Sequence, residues 1–202
     1  MKTVGALIFP GFEVLDLYGP LEMFGLLMGE MEIRIVAEQA EPVASGAGPR
    51  TAVDDLMADR DDYDIILVPG GGGTRQEVNN QALLDWIVSA SAKAELTTAV
   101  CTGSALLARA GVLDGRKATT NKAAYAWATS QGPNVAWQPQ ARWVEDGKFM
   151  TSSGVSAGTD MGLAIVARLF GAEKAEQVAV FAEYEWRRDS SWDPFAKVHG
   201  LV

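Results

Sequence analysis

The sequence predicts an α/β protein built on one mostly parallel sheet. Apolar strand-like runs alternate with helical patterns from end to end. The runs at 4–9 and 64–68 are almost continuously apolar, as strands covered on both faces must be. Residues 97–107, Thr-Thr-Ala-Val-Cys-Thr-Gly-Ser-Ala-Leu-Leu, pass from such a strand straight into a helix, with the only cysteine, Cys101, on the turn between them.

In chain order, 4–9 is the first strand and 14–28 an apolar helix. Residues 32–38 (Glu-Ile-Arg-Ile-Val-Ala-Glu) form a second strand, and 43–53, broken by Ser45-Gly46-Ala47-Gly48-Pro49, reads as a hairpin or arm. The buried strand at 64–68 is closed by Pro69-Gly70-Gly71-Gly72-Gly73. A helix over 81–94 leads into the strand before Cys101, and Asp114-Gly115 marks a turn after the Cys101 helix. Residues 122–130 read as a helix opened by Asn121, and 143–151 as a hairpin around Asp146-Gly147. Helices over 157–170 and 172–186, separated at Gly171, close the pattern. Without repeats or a low-complexity linker, 1–202 reads as a single domain. The tail from Trp186 onward holds Trp192 and Phe195, too much aromatic surface for a solvated end, so it is expected to pack on its own body or on a partner subunit.

Composition excludes several functions. Seventeen Lys and Arg against 26 Asp and Glu give a net charge of −9 without a basic run, which disfavours nucleic acid and anionic membrane surfaces. The apolar run near the N-terminus is too short to span a bilayer. One cysteine allows no intrachain disulfide, so a cytoplasmic protein is expected. With one histidine, His199, no zinc site of the usual Cys/His kind is expected, and no metal.

The loops at 10–16, 69–73 and 101–104 all follow strands, and in an open parallel sheet such loops meet along the edge where ligands bind. Cys101 on its turn is a candidate nucleophile, with a helix N-terminus to favour the thiolate. Thr102 N–H with an N–H from Gly71 or Gly72 is the natural donor pair for developing negative charge, unless the glycine run is only a tight turn. Asp16, a carboxylate inside an apolar stretch at a helix start, is a helix cap or a general acid and base beside the thiol. Burial and a nearby thiolate would both raise its pKa. Glu13 and His199 read as surface residues, and the sequence places no imidazole beside Cys101, which argues against a Cys-His protease. Thr102 and Ser104 read first as helix-start residues with hydroxyls able to hold a ligand, and Asn121 as a cap.

Together these segments resemble the DJ/ThiJ/PfpI superfamily. The residues that carry the likeness are Phe9-Pro10 to Asp16-Leu17-Tyr18-Gly19-Pro20, Pro69-Gly70-Gly71, Val100-Cys101-Thr102-Gly103-Ser104, 111–120 and 153–160. The resemblance implies a flavodoxin-like fold, with helices on both faces of the sheet and Cys101 on a nucleophile elbow. Asp-Leu-x-Gly-Pro with Cys-Thr-Gly-Ser is similar to the isocyanide hydratase branch and to the sensory domains of some AraC-type regulators. It implies attack of Cys101 on an isocyanide carbon to give a thioimidate, with Asp16 handling protons and positioning water until an N-formamide is released. Such proteins are usually homodimers without a cofactor. Where the family often shows Thr-Thr-His-Trp, this chain has Thr120-Asn121-Lys122, at positions expected to shape the pocket and dimer edge. The other readings are a redox or ligand sensor using the same thiol, and an amidase or glyoxalase-like enzyme.

Overall fold

The computed structural model describes residues 1–202. Strand β1 (Lys2–Leu7) leads through a loop into helix α1 (Val14–Gly25), and β2 (Met31–Ala37) follows. Strands β3 (Val43–Ala44) and β4 (Arg50–Thr51) pair antiparallel as the expected hairpin, and β5 (Asp55–Leu56) returns to the main sheet. Next come β6 (Ile65–Val68), the one-turn helix α2 (Thr74–Glu77) and α3 (Gln81–Lys93). Strand β7 (Leu96–Val100) and helix α4 (Gly103–Arg109) flank Cys101. Beyond them lie β8 (Lys117–Ala118), α5 (Tyr125–Ser130), β9 (Ala136–Trp137), β10 (Trp143–Asp146) and β11 (Phe149–Ser152). Helices α6 (Ala157–Phe170), α7 (Ala172–Phe181) and α8 (Phe195–Val198) complete the chain.

The main sheet runs β10-β11-β7-β6-β1-β2-β5, and only the β10–β11 pair is antiparallel. Every residue of β6 and β7 is buried, so both faces of the sheet are covered. Helices α1, α6 and α7 pack as one group, while α2, α3 and α5 pack around α4. Close approach of α1 to α6 needs Gly19, where a Cβ would stand 2.5 Å from Thr159 Oγ1.

Register decides where the loops emerge. Ala6 pairs with Leu67, Leu67 with Thr98, and Val100 with Ser152, which brings the carboxyl ends of β1, β6, β7 and β11 level. The chain passes from β1 to β2 on one side of β1 and continues through β6 and β7 on the other. That reversal is the point at which open α/β sheets form a crevice.

Some elements differ from the sequence expectation. Helix α7 stops at Phe181 rather than continuing to 186, with Glu183 in a left-handed conformation at φ 49°. This frees Trp186 Nε1 to donate to Asp160 O (3.1 Å) and Arg187 N–H to Asp160 Oδ1 (2.9 Å). The first helix ends at Gly25, and the expected helix at 122–130 starts only at Tyr125. The tail packs on its own chain: Arg142 N–H donates to Ser190 O (2.8 Å) and Asp193 N–H to Gln140 O (2.7 Å).

Candidate active site

The loops after β1 and β6 are laced by backbone. Glu13 N–H donates to Gly70 O (2.8 Å), Gly73 N–H donates to Gly11 O (3.1 Å), and Phe12 bridges to both Ser45 and Gly71. Cys101 stands between β7 and α4 with φ 57°, a left-handed conformation that costs a non-glycine residue about 1–3 kcal/mol. Its surroundings hold it there. Cys101 N–H is shared between Ser152 O and Ser153 O, each at 3.2 Å, and its carbonyl accepts from Ser104 Oγ (2.9 Å) and Thr120 Oγ1 (3.0 Å).

Asp16 lies in the first turn of α1 and is fully buried. It is not a cap: the residue at the cap position is Glu13, whose side chain makes no capping bond. Instead, Asp16 Oδ2 accepts from Gly70 N–H at 2.9 Å, while Oδ1 has no partner. Gly70 has to be glycine, because a Cβ there would sit 2.5 Å from Thr102 N and 2.9 Å from Asp16 Oδ2. The thiol of Cys101 is near enough to the same carboxyl to influence its ionisation. Burial pushes the Asp16 pKa up to about 7, against the lowering pull of the Gly70 N–H and the thiol. Glu13 is half-buried rather than fully solvated, and its charge adds to the rise.

Cys101 departs from the sequence expectation in one respect. Its helix N-terminus was expected to favour thiolate, but the thiol is pushed up to about 12, first by burial and then by the charge of Asp16. The expected help is present but outweighed. Thr102 N–H, Val155 N–H and the Asn121 side-chain amide all act on the sulfur to lower its pKa. Val155 has φ 36°, which is strained for a β-branched residue, so two strained residues converge on one sulfur atom.

The other expected site residues take different places. Gly71 N–H donates to Thr102 Oγ1 (3.1 Å), so it is not a free oxyanion donor, and Gly72 is exposed on the turn. Thr102 Oγ1 also accepts from Thr74 Oγ1 (3.2 Å), so this hydroxyl ties the β6 and β7 loops together instead of facing a ligand. Ser104 is fully buried, with its hydroxyl spent on the Cys101 carbonyl. Of the expected donors, only Thr102 N–H reaches the sulfur. Its companion is Val155 N–H from the loop after β11, where a valine side chain announces nothing. Asn121 does not cap α5, whose cap position is Ala124; its Oδ1 accepts from Ala124 N–H (2.9 Å) in the turn before the helix, and its amide acts on the thiol. The departure at Asn121 from the family's pattern was the signal for that role at the thiol. His199 is exposed, and no imidazole is among the groups acting on the thiol.

A buried polar network backs the Val155 loop. Arg142 pairs with Asp160 at 2.5 Å and lies 3.8 Å from Asp193. Asp193 is hydrogen-bonded by Ser153 Oγ and, on Oδ1, by Phe195 N–H (3.0 Å). Beside it Lys122 Nζ donates to Ala141 O (2.6 Å) and Thr119 Oγ1 (2.8 Å), and burial brings its pKa down to about 8 against the pull of Asp193. No group of three or more His, Cys, Asp and Glu side chains is placed to hold a metal ion, and no helix is long and apolar enough to cross a membrane.

Comparison with known proteins agrees with this architecture. The chain is 34% identical over 181 residues to an isonitrile hydratase of Pseudomonas putida, a match covering 90% of this chain and 78% of that protein. The crystal structure of a ThiJ/PfpI family protein from Pseudomonas syringae superposes with a TM-score of 0.85 at 35% identity, covering 91% of this chain and 75% of the other. An HTH-type transcriptional regulator, GbdR of Pseudomonas aeruginosa, is 27% identical over 91% of this chain, but the match takes up only 51% of the regulator. The DJ-1/PfpI family pattern matches residues 2–168, and with a hydratase relative above 30% identity over most of both chains, this protein belongs to the DJ-1/PfpI family.

Proposed function

We propose that this protein is a cofactor-free hydratase that converts an isocyanide into an N-formamide, with Cys101 as nucleophile and Asp16 as acid and base. One observation carries the reading: a buried carboxyl with its pKa near 7 and one unpartnered oxygen stands against a neutral thiol, with no imidazole acting on the sulfur. The similarity to an isonitrile (isocyanide) hydratase supports it.

The terminal carbon of an isocyanide is both electrophile and proton acceptor, which suits such a pair. Sulfur bonds to that carbon as Asp16 takes the thiol proton, and Asp16 returns it to the same carbon, whose lone pair becomes the C–H bond. The product is a thioimidate, R–N=CH–S, on Cys101. Asp16 then removes a proton from water as its oxygen adds to the carbon, and passes that proton to nitrogen as the C=N electron pair shifts there. Collapse of the R–NH–CH(OH)–S adduct breaks the C–S bond and releases the formamide. The departing sulfur is met by Thr102 N–H, Val155 N–H and the Asn121 amide, and regains its proton through Asp16. No step changes the net charge of the buried site, because each proton that Asp16 takes it also gives back.

A redox sensor with the same thiol needs a populated thiolate, and the upward shift of Cys101 counts against it. The proposal includes a homodimer, to be checked by light scattering. The test of function is formamide release from p-nitrophenyl isocyanide. Saturable turnover that disappears in Cys101→Ala supports the proposal. Turnover that survives in that variant, or none with any isocyanide, refutes it.

A further inference from the structure

A cavity of about 290 Å³ is lined by Asn121 and Val155, the two residues that also bring a side-chain amide and a backbone N–H to the Cys101 sulfur. The rest of its wall comes from Lys122, Ala123, the loop residues Ser153, Gly154 and Ser156 and, from the tail, Phe195 and His199. The polar atoms around it are largely engaged elsewhere. Lys122 Nζ is turned onto Thr119 and Ala141, the Ser153 hydroxyl is on Asp193, and Asn121 is shared between Ala124 and the thiol. The cavity wall is mainly apolar in what it leaves free, with Ala123, Val155, His199 and the exposed Phe195 among its residues. Asp193 fixes that wall: its carboxylate takes Phe195 N–H and the hydroxyl of Ser153, two residues before Val155, so tail and thiol-donor loop are held as one piece.

We propose that this cavity is the subsite for the organic group on the isocyanide nitrogen, and that Phe195 and His199 select a compact, uncharged ring or branched chain. The inference rests on the hydratase reading for the identity of the substrate, though not for the existence of the subsite. An isocyanide is linear through carbon and nitrogen, so a carbon bonded to sulfur projects its substituent away from the sulfur and past the groups that surround it. The cavity lies at the small end of ligand-pocket volumes and has ample room for a ring.

The test separates the two claims. Intact-mass kinetics compare alkylation of Cys101 by N-benzyl iodoacetamide and by iodoacetamide, each normalised to a free cysteine standard, in wild type, Phe195→Ala, Phe195→Leu and the exposed control Val198→Ala. The expected result is a benzyl preference that falls at least fivefold in Phe195→Ala and partly in Phe195→Leu, while the control keeps the wild-type ratio. An unchanged ratio in both Phe195 variants overturns the subsite; if Phe195→Ala unfolds, Phe195→Leu alone decides. The same variants are then assayed with methyl and cyclohexyl isocyanide, where KM rises selectively for cyclohexyl. A shifted labelling ratio with no turnover of any isocyanide leaves the subsite standing and removes the hydratase.

Discussion

Asp16 is buried beside an almost fully buried Cys101, with Asp16 Oδ2 tied to Gly70 N–H at 2.9 Å and Oδ1 unpartnered. The charge of Asp16 raises the cost of ionising Cys101, whereas the thiol eases the ionisation of Asp16. Burial makes any charge expensive here, so the pair holds its protons more tightly than either group would in water.

Replacing Asp16 should therefore move two readouts in opposite directions. Asp16→Asn removes the charge that pushes the thiol up, so alkylation of Cys101 at pH 8 rises by roughly tenfold or more. Turnover falls by about 10²-fold or more, because the acid and base is gone. Stopped alkylation time courses beside isocyanide assays test this, and a parallel fall in both rates contradicts it.

Stability should carry the imprint of the same carboxyl. Its folded pKa of about 7 lies above the unfolded value of 3.8, so the folded state binds the extra proton between them. The contribution is complete below pH 3.8 and is lost as pH rises through 7. Between about pH 4.5 and about pH 8, wild type should lose about 3 kcal/mol relative to Asp16→Asn, from the 1.36 kcal/mol per pH step of linkage. Urea titrations of both proteins at the two pH values measure the difference. A constant gap shows that the carboxyl is ionised throughout.

Asn121 offers a third check. Its amide acts on the sulfur as a donor, so Asn121→Asp sets a second carboxylate against the thiol. Labelling at pH 8 and turnover should both drop by roughly 10²-fold, as electrostatic donors to a reacting atom typically cost when lost. Equal rates in the two proteins place the amide outside the chemistry.

Arg142 tests the network behind the Val155 loop. Arg142→Met leaves Asp160 and Asp193 buried without their cation, which should cost about 3–5 kcal/mol. The urea midpoint reports this directly, and proteolysis should first cut the tail that Asp160 and Asp193 hold in place.

Much of this was readable from residues alone. The passage from strand to helix at Cys101 and the three loops on one sheet edge follow from hydrophobic pattern and turn residues, which are local; that Asp16 meets the thiol does not, because it joins two distant segments of the chain. The sign of the thiol shift was not, because it depends on how deeply a turn is buried, and the helix-start reading has no depth in it. Val155 was invisible for a related reason: it contributes a backbone N–H, and any residue type carries one. The early end of α7 depends on partners in Asp160, a residue on another helix. Thr102 and Ser104 stand at the start of α4, but the Thr102 hydroxyl makes no capping bond, and which neighbour each hydroxyl reaches is settled only when the loops close on one another.

Cys101 at φ 57° and Val155 at φ 36° also bear on how this protein responds to selection. Glycine at either position would relax the backbone, so the changes that make the molecule hardier include the one that deletes its nucleophile. A library screened for heat resistance alone would drift toward such inert survivors. Any effort to toughen this scaffold has to score reactivity at Cys101 in every round.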